Sequence, residues 1–379
     1  MILGINGIRL IGDRSGVARC IEALLHQFEC LNHPFTEIRV YSPEALPDDV
    51  KLPSMARSIV LHSRLPNSLW EQVVLPRAHG RAGLLLCPSY VAPMFSRSPT
   101  FLIHHGSYEG YPEAFSWLVL NKARFIYTLS AWRATCMSTV SAYSREDIVR
   151  FYRLPRSRVK VIPEGVDTSV FQPCSDQSLL SSWREKTFGT DQPFIAYVGK
   201  PTERRNLSAL IRAFAKLKSE KKIEHRLLLA GTALPGQSPF RDVIDELGLT
   251  NDVTVLEYID HDEMPVLYNA ASIFIYPSSY EGFGMPVLEA MACGTPLITL
   301  DNTAFPEFAG GIGLLLTDAS VETLTEGLWN LIQDRELQKH MTQLGPERAA
   351  EYDWKLVAQK YLDLMIPIAE QWEQKRQAT

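Results

Sequence analysis

The sequence predicts an α/β protein built from two doubly wound, parallel-sheet domains, and three observations carry that expectation. At 379 residues the chain is longer than one ordinary hydrophobic core organises, so two domains are expected. Residues Ser272 to Leu300 read as strand, glycine-broken loop, helix and strand, the βαβ unit of an open parallel sheet. A strand running into a glycine turn opens each half, at Met1–Leu10 with Gly12–Gly16 and at Phe194–Gly199.

Each element has its own signal. Val17, Ile21, Leu24, Leu25 and Phe28 repeat at helical spacing, predicting a helix over Val17–Phe28. Short apolar runs predict strands at Ile38–Tyr41, Ser58–His62, Gly83–Cys87 and Thr100–His104. Ser144, with Asp147 three residues on, reads as the N-cap of a helix, and Ser141 follows a strand. The polar run from Pro173 to Gln192 reads as a linker or an amphipathic helix, placing the domain boundary near Val170. Beyond it come a helix over Leu207–Lys218, a strand at Arg226–Ala230, a helix at Asp242–Leu247, a strand at Val253–Ile259 and a helix at His261–Ala271. Leu314–Leu316 is a strand. Val321–Gln333, Glu336–Leu344 and Trp354 to the end are helices. The expected domains are therefore 1–170 and 171–354, with about 355–379 as a closing helix.

Hydrophobic content of 46% and charged content of 21% describe a globular protein. The nearest approach to a membrane span, Ala114–Met137, is broken by Lys122, Arg124 and Arg133. MILGINGIRL starts as a strand with no basic leader, so no signal peptide is expected. The six cysteines are scattered without a C-x-x-C, which argues against structural zinc and a disulfide framework and for a cytoplasmic setting. Residues 1–170 hold 19 Lys and Arg against 14 Asp and Glu, a balance of +5; the remainder balances at −10. That asymmetry, unless it is compositional drift, suggests an anionic acceptor or a peripheral contact with the inner face of a membrane through the N-terminal half. No nucleic acid partner is expected.

The chemistry concentrates between Ile275 and Pro296, IYPSSYEGFGMPVLEAMACGTP. Gly282 and Gly284 let backbone N–H groups approach an anion, and Pro286 starts a helix whose positive end faces the same loop. Taken singly, Glu281 reads as a solvated loop residue and Glu289 as a helix-dipole partner. Together, on either side of an anion site, they are placed to accept hydrogen bonds from hydroxyls, as a diphosphate flanked by ribose and sugar requires. Arg204 and Arg205, in the loop after the strand Phe194–Gly199, suit a diphosphate because guanidinium forks match phosphate oxygens.

The whole string Glu-Gly-Phe-Gly-x-Pro-x-x-Glu-Ala-Met-Ala-Cys-Gly-x-Pro resembles the E-x7-E signature of family-four, or group one, retaining glycosyltransferases of the GT-B fold. The resemblance runs over nearly the whole chain and is strongest from Phe194 to Glu307. Ser15-Gly16-Val17-Ala18-Arg19 resembles the family's Ser/Thr-Gly-x-x-Arg segment, and Asn302–Glu307 its Ser-x-x-Pro-Glu turn. Met137–Phe171 resembles the segment that ends the family's N-terminal domain. His104 and Pro112 keep the spacing of its Ile-His-Asp region, but His105 stands where Asp is common and Glu164 where Asn is common.

The resemblance implies two Rossmann-like domains facing across a cleft, with the final helix crossing back to the first. It implies transfer of a sugar from a nucleoside diphosphate sugar, as co-substrate, to a hydroxyl of a glycan or lipid-linked saccharide, with retention. His104, Glu281, Arg204 and Arg205 would be catalytic. Gly16, Gly199, Arg204, Arg205, Tyr258, Ile259, Glu281, Gly282, Phe283, Gly284, Met285 and Glu289 would bind the donor, with Glu257 standing where Gly is common beside the base. The Glu-Arg-Arg-Asn loop is similar to that of many mannosyltransferases and points to GDP-mannose. With Arg204 and Arg205 as a cationic alternative at the diphosphate, neither a metal nor any other cofactor is expected. A sugar-nucleotide epimerase of the same fold and a non-catalytic GT-B-like binding protein are the alternatives.

Overall fold

A computed structural model of the chain describes residues 1–12, 16–107, 117–232 and 240–378, and the side chains of residues 117–119 lie outside the description. Ser15 and Pro112 therefore fall outside the described residues. The chain forms two compact units, Met1–Gly165 with Trp354–Thr379, and Val166–Asp353.

In the first unit the described strands form one parallel sheet. They are β1 (Ile2–Asn6), β2 (Glu37–Ser42), β3 (Ala56–Val60), β4 (Gly83–Cys87), β5 (Thr100–His104), β6 (Cys136–Thr139) and β7 (Val159–Val161), in the order β3-β2-β1-β4-β5-β6-β7. Strands such as Gly83-Leu-Leu-Leu-Cys87 are apolar on both faces because both faces are covered. α1 (Gly16–Cys30) buries Ile21, Leu24, Leu25 and Phe28, as its spacing predicts. The unit also contains α2 (Asn67–Leu69), α3 (Leu75–His79), α4 (Trp117–Arg133) and α5 (Ala142–Tyr152).

The second unit holds β8 (Phe194–Val198), β9 (Arg226–Ala230), β10 (Val253–Leu256), β11 (Ile273–Tyr276), β12 (Leu297–Leu300) and β13 (Leu314–Leu316). They pair in parallel in the order β10-β9-β8-β11-β12-β13. Its helices are α6 (Gln177–Phe188), α7 (Leu207–Lys216), α8 (Arg241–Glu246), α9 (Met264–Ala270), α10 (Met285–Ala292), α11 (Phe305–Ala309), α12 (Val321–Gln333) and α13 (Arg335–Ala350). The last helix, α14 (Trp354–Gln377), returns to the first unit and packs on α1 and β4, with Tyr361 edge-on to Phe101.

In both sheets the winding reverses beside the first strand. β1 lies between β2 and β4, and β8 lies between β9 and β11. Ligands of open α/β sheets bind outside the strand ends at such switch points.

Several expected elements differ. β1 stops at Asn6, because Gly7 turns the chain and the Asn6 side chain accepts a hydrogen bond from the Ile8 amide, opening a 3-10 turn over Ile8–Leu10. Ser141, not Ser144, caps α5: its hydroxyl accepts from the Ser144 amide. β10 stops at Leu256 because its partner β9 ends at Ala230, and the Gly231 amide closes the pairing on the Leu256 carbonyl. The helical stretch from Asn67 to His79 was not expected; Pro66 and Pro76 each sit at the start of a helical segment, where proline fits.

Candidate active site

In the second unit, the loops leaving β8 and β11 meet at the switch point. The first carries Glu203–Arg205 in a 3-10 turn and then Asn206, which adopts a left-handed conformation (φ 53°). The Asn206 amide donates to the Pro277 carbonyl at 2.8 Å and to the Ser279 hydroxyl at 2.7 Å, while the Ser279 amide donates to the Arg204 carbonyl at 2.7 Å. These bonds stitch one loop to the other and fix both arginines beside the glycine loop.

Four donors converge on one oxygen, Oε1 of Glu281: Arg204 Nη1 at 2.6 Å, Arg205 Nη2 at 3.2 Å, the Ser278 hydroxyl at 2.9 Å and the Tyr276 hydroxyl at 3.3 Å. Two guanidinium groups against one carboxylate leave a net positive charge. Arg205 lies over the Tyr276 ring, 4.9 Å from its centroid, and donates to the Tyr197 hydroxyl at 3.2 Å. The two tyrosine rings stack at 5.6 Å, and burial raises both phenols, which keeps them neutral donors. Arg205 Nε is buried with no hydrogen-bond partner among the described residues.

Gly199 is required here: its φ of +146° disfavours a side chain, and a Cβ would collide with Nη1 of Arg205. Gly284 sits at φ +119° immediately before α10, where a Cβ would come within 2.8 Å of the Phe305 ring. Phe283 stacks on Phe308 at 4.7 Å and holds the loop between Gly282 and Met285 against the core. Glu289, on α10 and 4% exposed, accepts a 2.8 Å hydrogen bond from the Tyr268 hydroxyl. Glu281 and Glu289 thus have separate partners.

Other expected residues stand apart. Tyr258 is 76% exposed in the loop after β10, with Ile259 beside it; that edge strand is separated from β8 by β9, and no contact joins either residue to the arginine cluster among the described residues. Gly16 and His104 belong to the first unit. Gly16 is the first residue of α1. His104 ends β5, is fully buried, and is enclosed by the rings of Tyr90, Tyr127 and Tyr152, with Nε2 2.9 Å from the Tyr152 hydroxyl. Its Nδ1 has no hydrogen-bond partner among the described residues. Burial, then the neighbouring His105, pushes His104 down to about 3, so it is neutral.

The two residues that depart from the family pattern, His105 and Glu164, are partners. His105 Nδ1 lies 2.8 Å from Glu164 Oε1, and Nε2 lies 2.8 Å from the Pro88 carbonyl oxygen. Each ring nitrogen of His105 thus faces an oxygen, a carboxylate at Nδ1 and a backbone carbonyl at Nε2.

Sequence reasoning missed Asn206, Tyr197, Tyr276 and Tyr268. The tyrosines on β8 and β11 had a signal: each lies within two residues of a strand's carboxyl end in a doubly wound pattern.

Comparison with known proteins agrees with this architecture. A family model for glycosyltransferase family 4 matches residues 14–170, and one for glycosyl transferases group 1 matches residues 181–348. O-antigen chain mannosyltransferase B of Escherichia coli is 29% identical over 222 residues, 59% of this chain and 58% of that protein. The MMP alpha-(1->4)-mannosyltransferase of Mycolicibacterium hassiacum is 31% identical over 224 residues, 58% of this chain and 51% of that one. The chain thus spans about half the length of the curated relatives it matches. Among solved structures, Anabaena HepE in complex with UDP-glucose superposes with a TM-score of 0.77 at 18% identity, covering 98% of this chain and 99% of that one.

Two parallel Rossmann-like sheets with this winding, and that likeness in fold, define the GT-B class. The chain belongs to the glycosyltransferases of group 1 and family 4, whose two models between them take in nearly all of it.

Proposed function

We propose that the protein is a retaining hexosyltransferase that moves mannose from GDP-mannose to a hydroxyl of a glycan or lipid-linked saccharide. The observation that carries this reading is the convergence of Arg204 and Arg205 on Glu281 beside the positive end of α10. A net cation with oriented backbone donors is what a departing diphosphate needs as the glycosidic C–O bond breaks. Glu289, held by Tyr268, accepts from the ribose hydroxyls, and the remaining oxygen of Glu281 accepts from the sugar. His104, being neutral, serves the transferred sugar as a hydrogen-bonding group rather than as a charge. The mannosyl assignment is supported by the mannosyltransferases among the relatives.

Retention is read as front-face attack in which the leaving diphosphate takes the acceptor proton, since Glu281 is held by two arginines and Glu289 by Tyr268, and neither is poised as a nucleophile. The arginines supply the positive charge, so a divalent metal is not required. The basic balance of residues 1–170 supports peripheral membrane attachment, and no described helix is long and apolar enough to cross a membrane.

The test is a radiolabelled GDP-mannose turnover assay after exhaustive chelation, with and without saccharide acceptors, and NMR of the product anomer. Metal-independent formation of an α-mannoside is expected. Turnover only after magnesium or manganese is restored would overturn the metal reading. Donor epimerised without acceptor would indicate the epimerase, and no turnover with any nucleotide sugar would indicate a binding protein.

A further inference from the structure

The outer edge of the first sheet carries cations that the transfer chemistry does not use. Among the described strands β7 pairs with β6 alone, so it is an edge strand, and β5 and β6 separate it from the switch point at β1 and β4. An open pocket of about 480 Å³ lies against this edge, lined by Arg145, Arg156, Ser157, Val159, Lys160 and Val161. The segment that forms it, residues 145–160, holds six Arg and Lys against two Asp and Glu, a balance of +4. Residues 1–170 balance at +5, so their excess of charge is concentrated beside this pocket rather than spread.

The cations divide by what they touch. Arg158 is committed to the fold: it donates to the Trp132 and Ala134 carbonyls and lies over the Trp132 ring at 5.9 Å. Arg145 Nε and Arg156 Nη2 meet on one oxygen, Oε1 of Glu146, at 3.1 and 2.9 Å. Glu146 does not line the pocket, so it ties the two guanidinium groups together from outside it. Lys160 has no ion pair among the described residues, and the Ser157 hydroxyl no hydrogen bond. The Ile162 amide donates to the Thr139 carbonyl, so by the alternation of the strand the Val161 amide points off the sheet edge. Three cations against one carboxylate leave a net charge of +2. A lysine alone would keep this edge from pairing with another chain, but that task needs neither clamped arginines nor a recess.

The geometry points to a binding site for a phosphomonoester in this pocket, with Arg145, Arg156 and Lys160 meeting its charge and Ser157 and the Val161 amide donating to its oxygens. A phosphomonoester carries about −1.5 to −2 at neutral pH and offers three strong acceptor oxygens, which matches the pocket's charge and its donors. The ligand is the head of a phosphate-ended lipid or a soluble phosphate ester; the group recognised is the same. The site is separate from the arginine cluster of the second unit and does not depend on the transferase reading.

The test uses full-length protein carrying 13C-labelled valine methyl groups. Val161 reports on the pocket, Val287 on α10 reports on the donor loop, and Val40 on β2 serves as the control. Methyl phosphate should move Val161 and leave Val40 in place, whatever it does at Val287. Methyl sulfate, with a single charge, should bind at Val161 roughly fivefold more weakly. Arg156→Gln and Lys160→Gln, both at exposed residues, should each weaken methyl phosphate about fivefold at Val161. Arg153→Gln, exposed in the same basic segment but outside the pocket, should change little. Val161 unmoved, methyl sulfate bound as tightly, or Arg153→Gln as damaging as the other two would each overturn the proposal, the last by showing a diffuse effect of charge. The source of the phosphate is read from two further arms. Flotation with vesicles of phosphatidylcholine and phosphatidic acid that Lys160→Gln weakens identifies a lipid ligand. A Val161 response to glycerol 3-phosphate without such flotation identifies a soluble one. Either result supports the site, and the absence of both overturns it.

Discussion

The Tyr268 hydroxyl sits 2.8 Å from Glu289 Oε2, joining α9 to α10 through two buried side chains. The bond fixes where the carboxylate points. Tyr268→Phe keeps the packing against Phe274 but frees Glu289 to turn. GDP affinity should fall about five- to tenfold, on the order of 1 kcal/mol, by calorimetry. Unchanged affinity would show that Glu289 needs no such guide.

Glu281 and Glu289 should separate cleanly. Glu289→Gln should weaken GDP and GDP-mannose alike. Glu281→Gln removes the carboxylate that offsets Arg204 and Arg205, so free GDP should bind as well or better while transfer falls. Equal losses of GDP affinity in the two variants would refute the division of roles.

Gly199→Ala should mimic Arg205→Ala. The new methyl group displaces the guanidinium from Tyr276 and Glu281, and the positive φ adds a backbone cost of about 1 kcal/mol or more. Loss of a charge-assisted contact to phosphate is worth roughly 1.5–3 kcal/mol. Both variants should lose GDP binding and turnover together, and a Gly199→Ala protein with native GDP affinity would contradict the assignment.

Stability should respond to pH through Glu71 and His79 in opposite senses. Burial raises Glu71 to about 7, so its burial is harmless while it is protonated, below about 4.5, and costs more as pH rises through 7. Glu71→Gln should therefore stabilise at pH 8, by on the order of 3 kcal/mol, and change little at pH 4. Burial lowers His79 to about 4, so it contributes stability above pH 6.5 that is lost as pH falls toward 4. Urea melts of Glu71→Gln and His79→Gln at both pH values check both signs. A Glu71→Gln gain independent of pH would show that the carboxyl does not titrate in this range.

Any attachment to anionic vesicles through the +5 balance of residues 1–170 should weaken as salt rises past about 0.15 M, where the screening length is about 8 Å. Flotation that ignores salt would contradict an electrostatic contact.

What was legible in the sequence was local. The glycine loop, Pro286 and the two glutamates lie within one stretch, so spacing alone placed them on a loop and a helix. The partners that orient them are distant: Tyr268 is 21 residues from Glu289, Asn206 is 71 from Pro277, and His105 is 59 from Glu164. One sequence contains no record of which distant residues meet, and that is why His105 and Glu164 read as unrelated departures. Glu71 did leave a trace, as a single charge inside the apolar run Leu69 to Leu75, apart from its neighbour Gln72. Tyr258 lies beyond its expected strand for a related reason: β10 ends two residues before it, and the length of β10 is set by its pairing with β9.

The return of α14 to the first unit makes the second unit an insertion within the first. During synthesis, residues 166–353 emerge as one uninterrupted stretch and have all their own partners before the chain is finished. The first unit, begun earlier, must wait for the last helix to cover α1 and β4. Nascent chains stalled before Trp354 should therefore carry a protease-resistant second unit and an open first one, and quality control of this protein falls on the half made first.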